Sequence, residues 1–332
     1  MTAYVLRRLI LLIPILFLIS VISFAVIELP PGSYVETYVQ NLENSGFVVD
    51  QGQIEALYRQ YGLNRPVVVQ YGLWMSNFLF KGEMGRSFIY QRPVKEVIWE
   101  RLPMSMLITL ISLTITWVLA IPIGIFSALR QYSLGDYVAT IIGFIGLALP
   151  NFLLALAVAY WVFAYTGRAI TGLFSADFEN AAWSMAKFFD LLSNIWLPIV
   201  VIAAAGTAEL IRILRATLLD EKNKQYVITA RAKGLNEWRL IMKYPVRVAI
   251  NPLISTIGWT LPFIVSGEIV VSQTLGLETL GPVLLGAALG EDMFLVGSIV
   301  MILSTLTVIG TLLSDILLAW VDPRIRFEKT AR

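Results

Sequence analysis

Cysteine and histidine are both absent from the 332 residues of this chain. Their absence excludes disulfide bridges, zinc sites built on these residues, thiol nucleophiles and any serine–histidine–aspartate triad. The chain also contains no Gly-Lys dipeptide, so it cannot form a phosphate-binding loop of the Gly-x4-Gly-Lys-Ser/Thr type. We therefore expect no catalytic residue, no metal site and no bound cofactor in this chain.

Charged residues are scarce, at 14% of the chain, whereas an ordinary soluble domain has roughly 25%. Hydrophobic residues make up 57%, and the mean hydropathy is +0.74. Six stretches of eighteen or more residues carry no charge, and each can cross a hydrocarbon core of about 30 Å. They are 9–27, 102–129, 137–167, 191–208, 248–267 and 293–314. The sequence predicts an all-α integral membrane protein with six transmembrane helices.

Arg7 and Arg8 precede the first apolar stretch, which raises the alternative of a secretory signal. The stretch is longer than the apolar core of a usual signal peptide. The Glu28-Leu-Pro-Pro-Gly32 that follows lacks the small-residue pattern of a cleavage site. We therefore interpret the stretch as an uncleaved first transmembrane helix.

Lysine and arginine are unevenly distributed among the connections between these stretches. If the N-terminus is cytoplasmic, the cytoplasmic segments hold 16 of the 25 basic residues: 1–8, 128–137, 211–249 and 321–332. The two shorter outer connections, 166–194 and 273–294, hold only Arg168 and Lys187. This asymmetry predicts a multi-pass protein of the cell membrane with both termini in the cytoplasm. We expect membrane lipid as a partner and no nucleic acid.

These predictions divide the chain into four parts. They are a cytoplasmic N-terminus with the first helix (1–28), an extracytoplasmic cap segment (29–102), a five-helix transmembrane core (103–320) and a cytoplasmic tail (321–332). The cap segment is too long for a simple turn. Within it, Gln53–Gly62 is typical of a short amphipathic helix, and Gln70–Phe80 carries the aromatic residues of an interfacial helix.

The cytoplasmic connection 215–249 is the most informative part of the core. Gly234 lies where the glycine that ends a helix belongs, with Arg231 and Lys233 in the preceding turn. Asn236 can cap a second helix, because its side chain can accept a hydrogen bond from a backbone amide of the first turn. The sequence therefore predicts two short helices that meet at a sharp break.

The first of these short helices has two interpretations. It places Tyr226, Ala230 and Lys233 on one side, and such a face can enter a cleft on another protein. The alternative is a surface loop that lies on anionic lipid headgroups, because nine basic residues fall within 211–249. Residue pattern alone leaves both interpretations open.

The order of motifs along the chain resembles a known family. The connection contains Thr229-Ala-Arg-Ala-Lys-Gly-Leu235, with Arg215, Leu218 and Tyr226-Val227 before it and Arg247 and Pro252 after it. Further motifs are Tyr61-Gly-Leu-Asn-Arg-Pro-Val67, Gly82-Glu-Met-Gly-Arg-Ser87 and Leu317-Leu-Ala-Trp-Val-Asp-Pro-Arg-Ile-Arg326. Over nearly its whole length, the chain is similar to the membrane permease subunits of the dipeptide, oligopeptide and nickel importers of the ATP-binding-cassette superfamily.

This resemblance implies the fold of a type I importer permease and a cytoplasmic coupling loop that docks on an ATPase. The implied ATPase-coupling residues are Tyr226, Thr229, Ala230, Arg231, Ala232, Lys233, Gly234 and Leu235. The implied partners are a second homologous permease, two ATP-binding-cassette ATPase subunits and an extracytoplasmic substrate-binding protein. ATP and Mg would bind to the ATPase subunits, and this chain would not be an enzyme.

Glu209, Arg212 and Glu268 lie in or beside apolar stretches, where an ionisable side chain is costly and usually faces a cavity or a partner. Glu209 and Arg212 are three residues apart and can pair on one helix. Ser272 stands where members of the family often have a glutamate. We therefore predict these four residues as candidates for the translocation path.

The substrate and the transport class have alternatives. Departures such as Ser272 lie on the substrate-facing side, so peptides, oligosaccharides and nickel chelates all remain candidate substrates. An ion-coupled secondary transporter is less well supported, because no internal repeat is visible and the basic connection would be unexplained. An intramembrane enzyme would lack most of the usual catalytic groups, which are histidine and cysteine.

Overall fold

The computed structural model describes residues 2–28, 65–87 and 89–321, together with the single positions 39, 52, 55 and 59. The predicted helix at Gln53–Gly62, most of the cap segment before residue 65 and the tail after residue 321 lie outside this description. The helices are α1 (Thr2–Glu28), α2 (Val67–Ser76), α3 (Val94–Leu129), α4 (Leu134–Ala148), α5 (Asn151–Thr166), α6 (Met185–Lys222), α7 (Gln225–Ala232), α8 (Glu237–Lys243), α9 (Pro245–Ala249), α10 (Asn251–Leu275), α11 (Leu280–Leu289) and α12 (Met293–Val321).

The predicted all-helical membrane architecture is confirmed in the described residues. Four helices, α1, α3, α6 and α12, are each long and apolar enough to cross a membrane. Two bent pairs also qualify: α4 with α5, and Glu237–Ile257 with Pro262–Leu275. By length and composition the described part of the chain therefore has four candidate spans, or up to six if each bent pair counts as one.

Proline has different effects in different helices. Between α4 and α5 the chain turns by 112°. Leu149 is extended there, with φ −89° and ψ 130°, as a residue before proline prefers, and Pro150 then begins the next helix. Pro198, in contrast, lies inside α6 without ending it. Pro150 thus coincides with a break between two helices, whereas Pro198 does not.

One compact unit comprises the described residues within Met1–Val5, Met104–Glu278 and Ile309–Arg332. Its central element is α6, and most of the apolar part of this helix is buried. The largest of its fully buried side chains are Leu197, Ile202, Leu210, Leu214 and Leu218. Helix α4 packs closely on α6 because Gly146 faces the carbonyl of Ala204, where a Cβ would lie 3.3 Å from the oxygen. The buried helix α6 leads directly to the predicted coupling connection.

The second unit comprises Leu6–Pro103 and Thr279–Val308. The predicted helix at Gln70–Phe80 is present as α2 followed by a π-helical turn at Asn77–Lys81. Trp74 is buried against Phe24 and Phe78, so this aromatic residue belongs to the core of the unit and not to a lipid interface. Asp292 accepts a 2.5 Å hydrogen bond from Ser87 Oγ and so fixes the loop before α3 to the start of α12.

Candidate functional site

Helix α7 ends at the predicted break. Its last residue is Ala232, and Gly234 follows in the left-handed region with φ +77°. No heavy atom lies within 4 Å of the place where a Cβ would be, so glycine is favoured here by the backbone conformation and not by crowding. Asn236 then caps α8, since its side-chain oxygen accepts a 3.1 Å hydrogen bond from the amide of Trp238. Both local predictions are confirmed.

The turn between the two helices is closed by an ion pair. The guanidinium of Arg231 donates to both carboxylate oxygens of Glu237, at 3.0 and 2.6 Å. This hydrogen-bonded pair raises the pKa of Arg231. Because both side chains are about half exposed, the pair defines the geometry of the turn more than it stabilises the fold.

The two sides of α7 differ from the predicted face. Val227 and Ala230 are buried in an apolar cluster with Leu214, Leu218 and Leu240. Ala230 therefore lies on the side that attaches α7 to its own chain, and the expectation that it lines an open face with Tyr226 and Lys233 is wrong. The reason is that helical spacing defines which residues share a side but not which side is covered by the rest of the protein.

An exposed apolar and basic surface covers the other side of α7 and continues onto α8. Its apolar members are Tyr226, Ile228, Leu235, Trp238 and Met242, and its basic members are Arg231, Lys233, Arg239 and Lys243. Trp238 is 61% exposed. Thr229, Ala232 and Gly234 lie among them and are exposed as well. Several exposed large apolar side chains on one short stretch of chain are typical of an interaction site. We call it the α7–α8 surface.

Tyr226 connects this surface to the end of α6. Its hydroxyl donates a 2.5 Å hydrogen bond to Glu221, which also forms a 2.8 Å ion pair with Lys224. Burial and the bond to Glu221 raise the pKa of Tyr226 to about 12. The phenol therefore stays protonated at physiological pH and keeps donating to Glu221.

The predicted path residues fall into two separate groups in the same unit. Ser272 and Ser105 donate hydrogen bonds to one oxygen of Glu268, at 2.9 and 3.3 Å. Glu268 is only 2% exposed. Sequence reasoning missed Ser105, because a single serine in an apolar helix gives no signal. The structure thus brings Glu268 and Ser272 together in a buried polar cluster that joins α3 to α10.

Glu209 and Arg212 form the second group on α6. Their side chains are 4.0 Å apart, so the predicted pair is present. The Arg212 side chain is 67% exposed, and that of Glu209 is 28% exposed. A pair this open to its surroundings and this long contributes little to stability. Its exposure, and not its strength, keeps it among the candidates for contact with a substrate or a partner.

An ion pair on a buried carboxylate joins the start of α4 to Arg215, the first residue of the coupling connection. Asp136 accepts two hydrogen bonds from Arg215, at 3.0 and 2.9 Å, and further bonds from the Ser127 hydroxyl and, at 2.9 Å, from the Tyr132 amide. The Asp136 side chain is 3% exposed. The sequence indicated Arg215 but not its partner, because Asp136 is 79 residues away along the chain.

Long apolar helices, prolines inside them and basic connections define this molecule as a multi-span membrane protein. Residues 120–327 match the sequence model of the "Binding-protein-dependent transport system inner membrane component", and residues 1–109 match that of the "Binding-prot-dependent transport system membrane comp, N-term". The chain belongs to this family of binding-protein-dependent transport permeases.

Curated relatives are similar over their full length. The chain is 35% identical over 328 residues to the oligopeptide transport system permease protein AppB of Bacillus subtilis. The similarity covers 98% of this chain and 100% of the relative. It is 29% identical to the oligopeptide permease OppB of Haemophilus influenzae over 98% of this chain and all of the relative. The dipeptide permease DppB of Alkalihalophilus pseudofirmus is 28% identical, again over 98% of this chain and all of the relative.

Proposed function

We propose that this chain is a pore-forming subunit of an ATP-driven importer that moves peptides across the cell membrane. The single observation that carries the proposal is the end-to-end similarity to the oligopeptide permease of Bacillus subtilis, at 35% identity over 98% of the chain. Similarity over both the N-terminal and the core segments supports the same role and not merely a shared span pattern. The basic connections favour cytoplasmic termini.

The proposed complex contains a second homologous permease, two ATPase subunits that bind ATP and Mg, and an extracytoplasmic binding protein. The chain has no Gly-Lys dipeptide and so no phosphate-binding loop of its own. Transport energy must therefore come from another subunit. In this proposal the cap segment 29–102 receives the binding protein, and the translocation path includes Glu268 and Ser272.

The α7–α8 surface is the proposed contact with the ATPase. Its exposed aromatic and aliphatic side chains suit a protein cleft, in which such groups dominate the binding energy. Glu237 neutralises Arg231. Lys233, Arg239 and Lys243 still add positive charge to the surface, so we expect acidic groups on the ATPase side of the contact. The contact must be firm, because closure of the ATPase dimer has to move this chain.

Uptake in proteoliposomes tests the function. The purified permease is reconstituted with its partner permease, ATPase subunits and binding protein, and a tryptic digest of casein is supplied outside. We expect peptides to accumulate only with ATP inside, as measured by mass spectrometry of the lumen. Parallel vesicles receive malto-oligosaccharides or a nickel–histidine chelate, and accumulation of either in place of peptides would reassign the substrate. Uptake driven by an ion gradient without ATP would overturn the proposal.

A further inference from the structure

The Asp136–Arg215 pair occupies a distinctive place in the fold. Arg215 lies on α6, seven residues before that helix ends at Lys222, and α7 begins at Gln225. Asp136 lies in the first turn of α4. The pair therefore joins α6, which leads into the proposed ATPase contact on α7, to the start of α4.

Four hydrogen bonds from three parts of the chain converge on the carboxylate of Asp136. Arg215 approaches from α6 with two nitrogens, Ser127 from the last turns of α3, and the Tyr132 amide from the turn itself. Tyr132 has a φ of +63°, a conformation that a bulky residue rarely adopts. The turn is thus held in a strained shape by the same carboxylate that binds Arg215. Bidentate binding of Arg215 to a buried carboxylate favours a stiff junction.

The end of α6 also shares an apolar cluster with α7. Leu214 and Leu218 belong to the apolar cluster that contains Val227 and Ala230 of α7. Glu221 binds both Tyr226 and Lys224. In addition, Lys222 Nζ donates to the carbonyl of Ala128 near the end of α3, at 3.4 Å. These contacts give a displacement of α7 a route to the end of α6, which is bonded in turn to the end of α3 and the start of α4.

We propose that Asp136 and Arg215 are positioning residues that transmit the displacement of α7 to α3 and α4. The pair works as a strut: it stays formed during the cycle, and the α3–α4 turn moves with the end of α6. This inference rests on the proposed function, because it assumes that an ATPase moves α7. The Asp136–Arg215 pair would then serve coupling in addition to stabilising the fold.

The test uses the complete reconstituted complex with the casein digest as the probe. The variants are Asp136→Asn, Arg215→Gln and Arg215→Lys. We expect Asp136→Asn and Arg215→Gln to keep the ATPase subunits bound and at least half of the basal ATP hydrolysis, while the peptides imported per ATP fall about tenfold or more. Arg215→Lys keeps the charge but loses the bidentate geometry, so its loss should be smaller. If the complex with Asp136→Asn does not assemble, the number of peptides imported per ATP by the Arg215→Lys complex provides the test.

Asp190→Asn is the matched control. Asp190 is a carboxylate near the other end of α6, with a side chain that is 9% exposed, and it accepts hydrogen bonds from Ser175 and an ion pair from Arg168. Its loss should lower the melting temperature of the permease without changing the peptides imported per ATP. If Asp190→Asn reduces that ratio as much as Asp136→Asn does, or if Asp136→Asn leaves it unchanged, the strut is refuted.

A second readout follows the motion itself. A cysteine at Leu134, an exposed residue at the start of α4, would be the only one in the chain. Its reaction rate with a thiol reagent should change when ATP binds to the wild-type complex, and Arg215→Gln should abolish that change. A change that survives in Arg215→Gln would overturn the inference. If the ATPase subunits do not bind even the wild-type chain, the proposed function fails instead, and the two failures are thereby distinguished.

Discussion

Single side chains decide whether α7 can reach a partner. Gly234 adopts a positive φ with open space around it, and Ala230 is packed against its own chain. These two residues belong to the same sequence motif but have different structural roles. Gly234 sets the direction of the chain after the helix, and Ala230 attaches the helix to the core.

Gly234→Val and Gly234→Asn separate backbone conformation from size. Valine is strained at φ +77°, at a cost of about 1–3 kcal/mol, whereas asparagine tolerates this region. We expect Gly234→Val to reduce the ATPase recovered with the permease severalfold and Gly234→Asn to leave it near wild type, as measured by co-purification. Equal losses in both variants would show that the glycine serves a contact and not a turn.

Ala230→Leu and Ile228→Glu separate the buried and exposed sides of α7. Added volume at the buried Ala230 should cost about 1–3 kcal/mol of stability, seen as a lower melting temperature of the isolated permease. Ile228 is exposed, so Ile228→Glu should leave the melting temperature unchanged and still reduce ATPase binding. The opposite pattern would mean that the contact face has been assigned to the wrong side.

At the level of helices, the sequence predicted features that depend on neighbours along the chain. The end of α7 at Gly234 and the cap of α8 at Asn236 follow from local backbone chemistry and were both correct. The burial of Ala230 and the partner of Arg215 were not accessible, because each depends on packing between segments far apart in sequence. The sharp turn at Pro150 and the uninterrupted helix at Pro198 look alike as prolines in apolar stretches and differ only in tertiary context.

The junction of α3 and α10 carries the buried cluster of Glu268, Ser105 and Ser272. If these residues line the path, the junction must open during transport. A cysteine at position 268 should resist a membrane-impermeant thiol reagent at rest and react during ATP-driven uptake, measured by mass labelling. A cysteine at the exposed Glu278 should react in both states and serves as the control. Resistance of position 268 throughout the cycle would make the cluster purely structural.

For the whole molecule, the uneven distribution of basic residues predicts which connections face the cytoplasm. The chain contains no cysteine, so single introduced cysteines can be labelled without background. A cysteine at Arg239 should be protected from an impermeant reagent in intact cells, and one at Glu278 should be labelled. Labelling of both from outside would contradict the orientation and with it the cytoplasmic site for the ATPase.

In the proposed complex the exposed side of α7 contacts the ATPase, and closure of the ATPase dimer displaces α7. This contact is the central proposal. It is tested most directly by photo-crosslinking from single positions in membranes that contain the assembled complex. A crosslinker at the exposed Ile228 or Thr229 should attach to the ATPase subunits, and one at the buried Val227 should not. Vesicles with and without anionic lipid should give the same pattern. If position 228 reaches only lipid, and more so in anionic vesicles, the loop is a headgroup-binding surface and the account is contradicted.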